Sequence, residues 1–219
     1  MDIEALYRYR FADINQADRA KVWHEISRFV FRIAGEPAKV LDPACGLGEF
    51  INSCPSPERW AMDLGLDGSM LADGITFTQM SFLASNQSLP RNHFDLVFAS
   101  NVLEHLPDQQ AVNAFLRRAR EVLAPGGRVI VMGPNFKYCA KDYFDCADHV
   151  VPLTHVSIEE HLVAAGFELS RTIPRFLPYS FRSRLPSSSF ATRAYLLFPP
   201  AWRFLGRQFL VVGTRPASS

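Results

Sequence analysis

From Gln16 to Ala34 apolar residues return at helical spacing, at Val22, Ile26, Phe29, Val30 and Ile33. The pattern predicts an amphipathic helix that leads into a first strand. That strand ends with Val40 and Leu41, and Pro43 excludes a continuing helix. Further apolar runs follow at Arg59 to Gly65, Ile75 to Leu83, Phe94 to Ser100 and within Val122 to Asn135. Between the last two, Gln110 to Leu123 reads as a second amphipathic helix, stopped by Ala124-Pro125-Gly126-Gly127. Ser157 is expected to open a third helix, with Glu159 and Glu160 in its first turn, that ends at Gly166. Phe167 to Ile173 and Gln208 to Thr214 complete the strands, and one apolar helix is expected around Phe190 to Phe198. Strands alternating with helices define an α/β chain.

The turn after the first strand carries the most chemistry. VLDPACGLGEF, from Val40 to Phe50, runs from apolar strand into an acid and then into a loop of small residues. Gly46 and Gly48 allow bare backbone to approach a nucleoside at the strand's carboxyl end, where open α/β sheets bind ligands. A dinucleotide fingerprint requires a third glycine where this chain has Ile51, and Glu49 and Asp42 would repel a pyrophosphate. The ligand expected from these charges is cationic.

Four segments in order resemble the class I S-adenosylmethionine-dependent methyltransferases. They are VLDPACGLGEF, RWAMDLG, FDLVFASNVLEHLPD and VLAPGGRVIVMGPN, and the likeness spans about residues 35 to 170. Ala44 stands where the family's first glycine is usual. The resemblance implies a Rossmann-like, doubly wound, seven-stranded sheet with an antiparallel edge strand and helices on both faces. It implies S-adenosyl-L-methionine as cofactor, with Asp42, Ala44, Cys45, Gly46 and Gly48 in the loop that orders it. Asp63, with Leu64 beside it, would accept both ribose hydroxyls, an arrangement that a carboxylate's two oxygens suit. Met80, Ser81 and Phe82 fall where the family contacts adenine, Ser81 replacing a frequent Asp. Asn101 and Val102 fall at the methionine end, and His105, in the Leu103 to Leu106 signature, reads as a positioning residue.

The acceptor side is sought between Asn135 and Ser157, which gathers more titratable groups than a connector needs. Methyl transfer to oxygen calls for a base near neutrality paired with a carboxylate, and His149, next to Asp148, and His155 are the catalytic candidates. No metal is expected, because no two ligands share a helix face at i, i+4 spacing.

Composition adds an asymmetry. The formal net charge is +1, yet Leu169 to Ser219 contains eight arginines and no acid, which leaves the rest of the chain near −7 by subtraction. Aromatic residues interleave with these arginines, a pattern suited to an anionic acceptor or to acidic lipid headgroups. No nucleic-acid motif is visible. The chain divides into a helical lid at 1–34, the cofactor-binding core at 35–173, an arginine- and aromatic-rich insertion at 174–206 and a last strand with tail at 207–219. Tyr7, Arg8, Tyr9 and Arg10 would serve the lid. Cys45, Cys54, Cys139 and Cys146 form no C-x-x-C pair, no signal-peptide pattern is seen, and no apolar run spans a bilayer. A cytoplasmic protein with reduced thiols, peripheral at most to a membrane, is expected. This arrangement, with RFLPYSFRSRLP and the ending WRFLGRQFLVV, looks similar to the type 11/12 methyltransferases found among polysaccharide and glycolipid biosynthesis proteins, implying a sugar hydroxyl on a nucleotide- or lipid-linked glycan. The alternatives are a phenol- or quinone-like small molecule, or a partner subunit that binds the cofactor without turnover.

Overall fold

The computed structural model describes residues 5, 6, 9, 15–84, 89–179 and 188–217. Helix α1 spans Gln16–Ile33, where Asn15 caps it by accepting from the N–H groups of Ala17 and Asp18. Strand β1 (Lys39–Asp42) leads through the glycine turn into α2 (Glu49–Ser53), then come β2 (Glu58–Asp63), β3 (Ile75–Gln79) and β4 (Phe94–Ser100). A single 3₁₀ turn, Leu103–His105, precedes α3 (Gln109–Val122), β5 (Leu123–Pro134), α4 (Phe136–Tyr143), α5 (His155–Ala164) and β6 (Glu168–Ile173). Two short helices, α6 (Ser189–Leu196) and α7 (Pro199–Leu205), separate β6 from β7 (Gln208–Thr214).

All seven strands join one sheet in the order β3-β2-β1-β4-β5-β7-β6. The first five are parallel; β7 runs antiparallel to β5 on one side and to the outermost strand β6 on the other. Strand order reverses between the parallel neighbours β1 and β4, so the switch point lies at their carboxyl ends.

Side chains alternate across the sheet and are buried on both faces, which explains the near-continuous apolar runs of the central strands. Val97, Val129 and Val131 pack with Phe115, Leu116, Ile158 and Leu162 under α3 and α5. Leu96, Phe98, Ile130 and Met132 face Ile26, Phe29 and Val30 of α1 on the other side. Phe29 stacks on Phe176 at 5.2 Å between centroids and meets Trp202 edge-on at 5.8 Å, tying α1 to the segment that enters and leaves α6–α7.

Three local expectations change. The helix expected from Ser157 begins two residues earlier, at His155: Thr154 is the cap, and Ser157 closes a capping box with it. The helix expected around Phe190 to Phe198 is present as α6 but is followed by a second, unexpected helix, α7, because Pro199 and Pro200 lack the N–H groups needed to continue α6 and instead open a new helix. The start of the Asn135–Ser157 segment is helical, with Asn135 capping α4.

Candidate active site

The turn from β1 into α2 is built by backbone groups held at both ends. The Cys45 N–H donates to Met62 O at 2.8 Å, and the Gly46 N–H donates to Asp63 Oδ2 at 2.9 Å. Asp63 Oδ1 accepts from Gly65 N at 2.8 Å and Leu66 N at 3.1 Å, so one carboxylate organises two neighbouring loops. Gly46 and Gly48 both have positive φ; a Cβ on Gly46 would meet open space, whereas one on Gly48 would lie 2.5 Å from Leu71 Cδ2. Asp42, 4% exposed, accepts from Ala44 N at 3.3 Å. Burial, followed by the charges of Asp63 and Glu49, pushes its pKa up to about 8 against the lowering by that N–H. Burial also raises the Cys45 thiol, so the loop carries no reactive thiolate.

A cavity of about 380 Å³ opens over these strand ends. At one end lie the glycine loop, Asp63 and Leu64, with Arg19 and Trp23 of α1 above; Arg19 is ion-paired with Glu49. Met80, Ser81 and Phe82 form the adjoining wall. Beyond β4 the wall continues through Asn101, Val102, Glu104, His105 and Leu106, joined by Phe115 and Asp148. Asn101 holds φ at +50°, a conformation asparagine tolerates better than most residues, and its N–H donates to Met132 O at 2.8 Å. At the far end His105 Nδ1 donates to the Asp148 carbonyl at 2.9 Å and lies 3.4 Å from the Asp148 carboxylate. Glu104, 2% exposed, has a pKa raised by burial and by Asp148 and lowered by His105.

Residues 14–171 match a family model described as a methyltransferase domain. The chain belongs to that family. A ubiquinone biosynthesis O-methyltransferase of Bradyrhizobium sp. (strain ORS 278) is 32% identical over 108 residues, which is 44% of this chain and 40% of that protein. The chain therefore matches well under half the length of that relative. A SAM-dependent methyltransferase from Archaeoglobus fulgidus has the same fold, with a TM-score of 0.69 at 18% identity over 98% of this chain and all of the other. The N-methyltransferase NodS of Bradyrhizobium japonicum, solved with S-adenosyl-L-homocysteine, gives 0.62 at 16% identity over 97% of both. The chain carries a methyltransferase domain on the fold of structures solved as S-adenosylmethionine-dependent methyltransferases.

Within this methyltransferase the predicted cofactor residues converge. Asp42, Ala44, Cys45, Gly46, Asp63, Leu64, Met80, Ser81, Phe82, Asn101 and Val102 all line the one cavity, and Gly48 sits below it at the start of α2. The two histidines chosen as catalytic candidates do not line it. His155 is the first residue of α5, where its Nδ1 accepts from Asn135 Nδ2 at 2.9 Å and its ring stacks over Tyr138. Burial lowers its pKa. His149 is 6% exposed and packs behind His105, with ring centroids 4.9 Å apart, and against Tyr143 at 4.7 Å.

The Asp148 carboxylate lies 3.4 Å from His105 Nδ1, across from the 3₁₀ turn. Arg19 and Trp23 carried no sequence signal for the cavity beyond their place in an amphipathic helix. Among the lid residues Tyr7, Arg8 and Arg10 lie outside the described residues, as do Arg182 and Arg184 of the insertion. All four cysteines are buried thiols outside any disulfide. Among the described residues no helix is long and apolar enough to cross a membrane.

Proposed function

We propose that this methyltransferase methylates a hydroxyl oxygen of a small phenol- or quinol-type acceptor, bound at the His105 end of the cleft. The observation that carries this reading is the His105–Asp148 pair, placed in the same cavity as the glycine loop and flanked by Phe82, Phe115, Val102 and Leu106. An aromatic acceptor suits such walls, and its hydroxyl would meet a carboxylate and an imidazole. In the reaction the acceptor oxygen forms a bond to the methyl carbon as the carbon–sulfur bond breaks. S-adenosylhomocysteine leaves, and the hydroxyl proton passes to the His105–Asp148 pair. Asp42 and Glu49 favour the cationic end of the cofactor, and Asp63 accepts from the ribose with lone pairs left by its backbone partners. The name of the Bradyrhizobium relative, an O-methyltransferase of a quinone pathway, agrees with this acceptor class.

A sugar hydroxyl on a nucleotide- or lipid-linked glycan has weaker support. Its phosphate partners, Arg182 and Arg184, lie outside the described residues, and Arg19 is the only arginine or lysine among the described lining residues. The insertion has a different use in this reading. Exposed Phe190, Leu197, Phe198 and Phe204, with Arg193 and Arg203, form a surface for an anionic membrane, where hydrophobic phenols and quinols partition.

The test is release of S-adenosylhomocysteine, followed by mass spectrometry, across a panel of catechols, hydroquinones and nucleotide sugars. Turnover confined to the phenolic members is expected. Turnover of nucleotide sugars alone would replace the acceptor class, and no turnover despite cofactor binding would return the partner-subunit alternative.

A further inference from the structure

At the inner end of the cleft, Glu104, His105 and His149 each bring one ligand atom within 4.8 Å of the other two. We infer that these three side chains hold a divalent transition-metal ion, of the zinc, cobalt or manganese kind, with its open positions turned to the acceptor. The donor set decides the class of ion: two imidazole nitrogens and one carboxylate oxygen suit borderline metals and leave vacant coordination positions. Bonds of about 2.1 Å in tetrahedral geometry place ligand atoms about 3.4 Å apart, so the donors must draw together by up to about 1.4 Å on an ion, which side-chain rotation supplies.

The surroundings preorganise these donors. Glu104 and His149 are 2% and 6% exposed, and a carboxylate withdrawn so far from water is stabilised by a cation held beside it. The two halves of the site come from segments 44 residues apart, and main-chain bonds staple them: Glu104 O accepts from Val150 N at 2.8 Å and from Val151 N at 3.1 Å. His105 donates its Nδ1 proton to the Asp148 carbonyl. That bond leaves the Nε2 lone pair for a metal and supplies the outer hydrogen bond that metal-binding histidines characteristically make. Glu104, His105 and Asp148 line the cavity, and His149 closes the site from behind.

Helix spacing gives no hint of this site, because Glu104 and His105 are neighbours on a single 3₁₀ turn and the third ligand arrives from another loop. The role of the metal, though not its binding, rests on the O-methylation reading. A hydroxyl bound to the ion loses its proton more readily, and the Asp148 carboxylate beside His105 is placed to receive that proton. Two adjacent oxygens on the acceptor could chelate the ion, which selects catechol-like substrates over simple phenols.

The experiment uses tag-free, chelator-treated full-length protein titrated with Co²⁺ alone, followed by visible absorption, with S-adenosylhomocysteine binding measured in parallel by calorimetry. One equivalent of Co²⁺ with micromolar or tighter affinity is expected, weakened at least about 100-fold in His149→Ala and Glu104→Gln. Intact S-adenosylhomocysteine binding by each variant establishes that it is folded; His105→Asn, at a less buried position, replaces any variant that is not. No saturable Co²⁺ binding up to about 1 mM by wild-type protein that binds S-adenosylhomocysteine overturns the site, as does affinity unchanged in the variants. Co²⁺ binding without S-adenosylhomocysteine binding would keep the metal site and strike the reading of the cleft. Chelation that leaves catechol turnover unchanged would remove the metal's role.

Discussion

Asp42 shows how one buried carboxyl links proton and ligand. Burial and the nearby Asp63 and Glu49 hold its pKa near 8, so in the free protein it is protonated at neutral pH. A sulfonium nearby favours the carboxylate and lowers that pKa. Binding below pH 8 must therefore expel a proton, and cofactor affinity should fall as pH drops from about 8 towards 6. Calorimetry at pH 7 in buffers of different ionisation enthalpy should give different heats for wild-type protein and equal heats for Asp42→Asn; equal heats for both would refute the linkage. Asp63 acts through bonds rather than titration. Asp63→Ala removes the acceptor for three backbone N–H groups as well as the proposed ribose contact, and should weaken cofactor binding by about 2–3 kcal/mol while lowering the melting temperature. Unchanged affinity in a destabilised protein would leave Asp63 a purely structural loop anchor. The strand-end acids were legible because motif and ligand charge point the same way. The pairing of His105 with Asp148 was not: it joins residues 43 positions apart, a separation that no local spacing reveals.

Among the secondary-structure elements, what could be read from the chain depended on burial. β4, β5 and β7 are covered on both faces, so their apolar runs announce themselves, as does α1 with its stripe of Ile26, Phe29 and Val30. α4 was hidden because it is only eight residues long, leaves helical geometry at Cys139 (φ −129°), and buries only Cys139 and Tyr143. The break between α6 and α7 is explained by Pro199-Pro200, whose effect an apolar pattern obscures. After α7, Gly206 lies against backbone: a Cβ there would stand 2.5 Å from Arg175 C and O and 2.6 Å from Trp202 O. Gly206→Ala should cost about 1–3 kcal/mol, measured by urea unfolding, because main chain cannot step aside as a side-chain tip can. Gly74→Ala, where a Cβ meets open space, provides the comparison; it should lose about 1 kcal/mol from its positive φ alone. Equal losses at the two positions would show that α7 is free to shift away from β6.

At the level of the whole molecule, the charge asymmetry and the fold converge on one side of the sheet. α6 and α7 lie over the same sheet face as α1, and their outward residues include Phe190 at 83% and Phe204 at 80% exposure. If this surface meets an anionic bilayer, the protein should sediment with phosphatidylglycerol vesicles and not with phosphatidylcholine vesicles, more weakly as salt rises. Phe190→Ser with Phe204→Ser should reduce that binding at least about tenfold without altering S-adenosylhomocysteine affinity; vesicle binding indifferent to lipid charge and to these changes would refute the surface. The order of strands has a further outcome. Because β7 lies between β5 and β6, β6 has no strand to pair with until residues 208–214 are present. A nascent chain halted earlier on the ribosome would present the edge of β5, from Arg128 to Pro134, without its neighbour. This protein should therefore be completed after translation of its last strand, with chaperones guarding an open sheet until then.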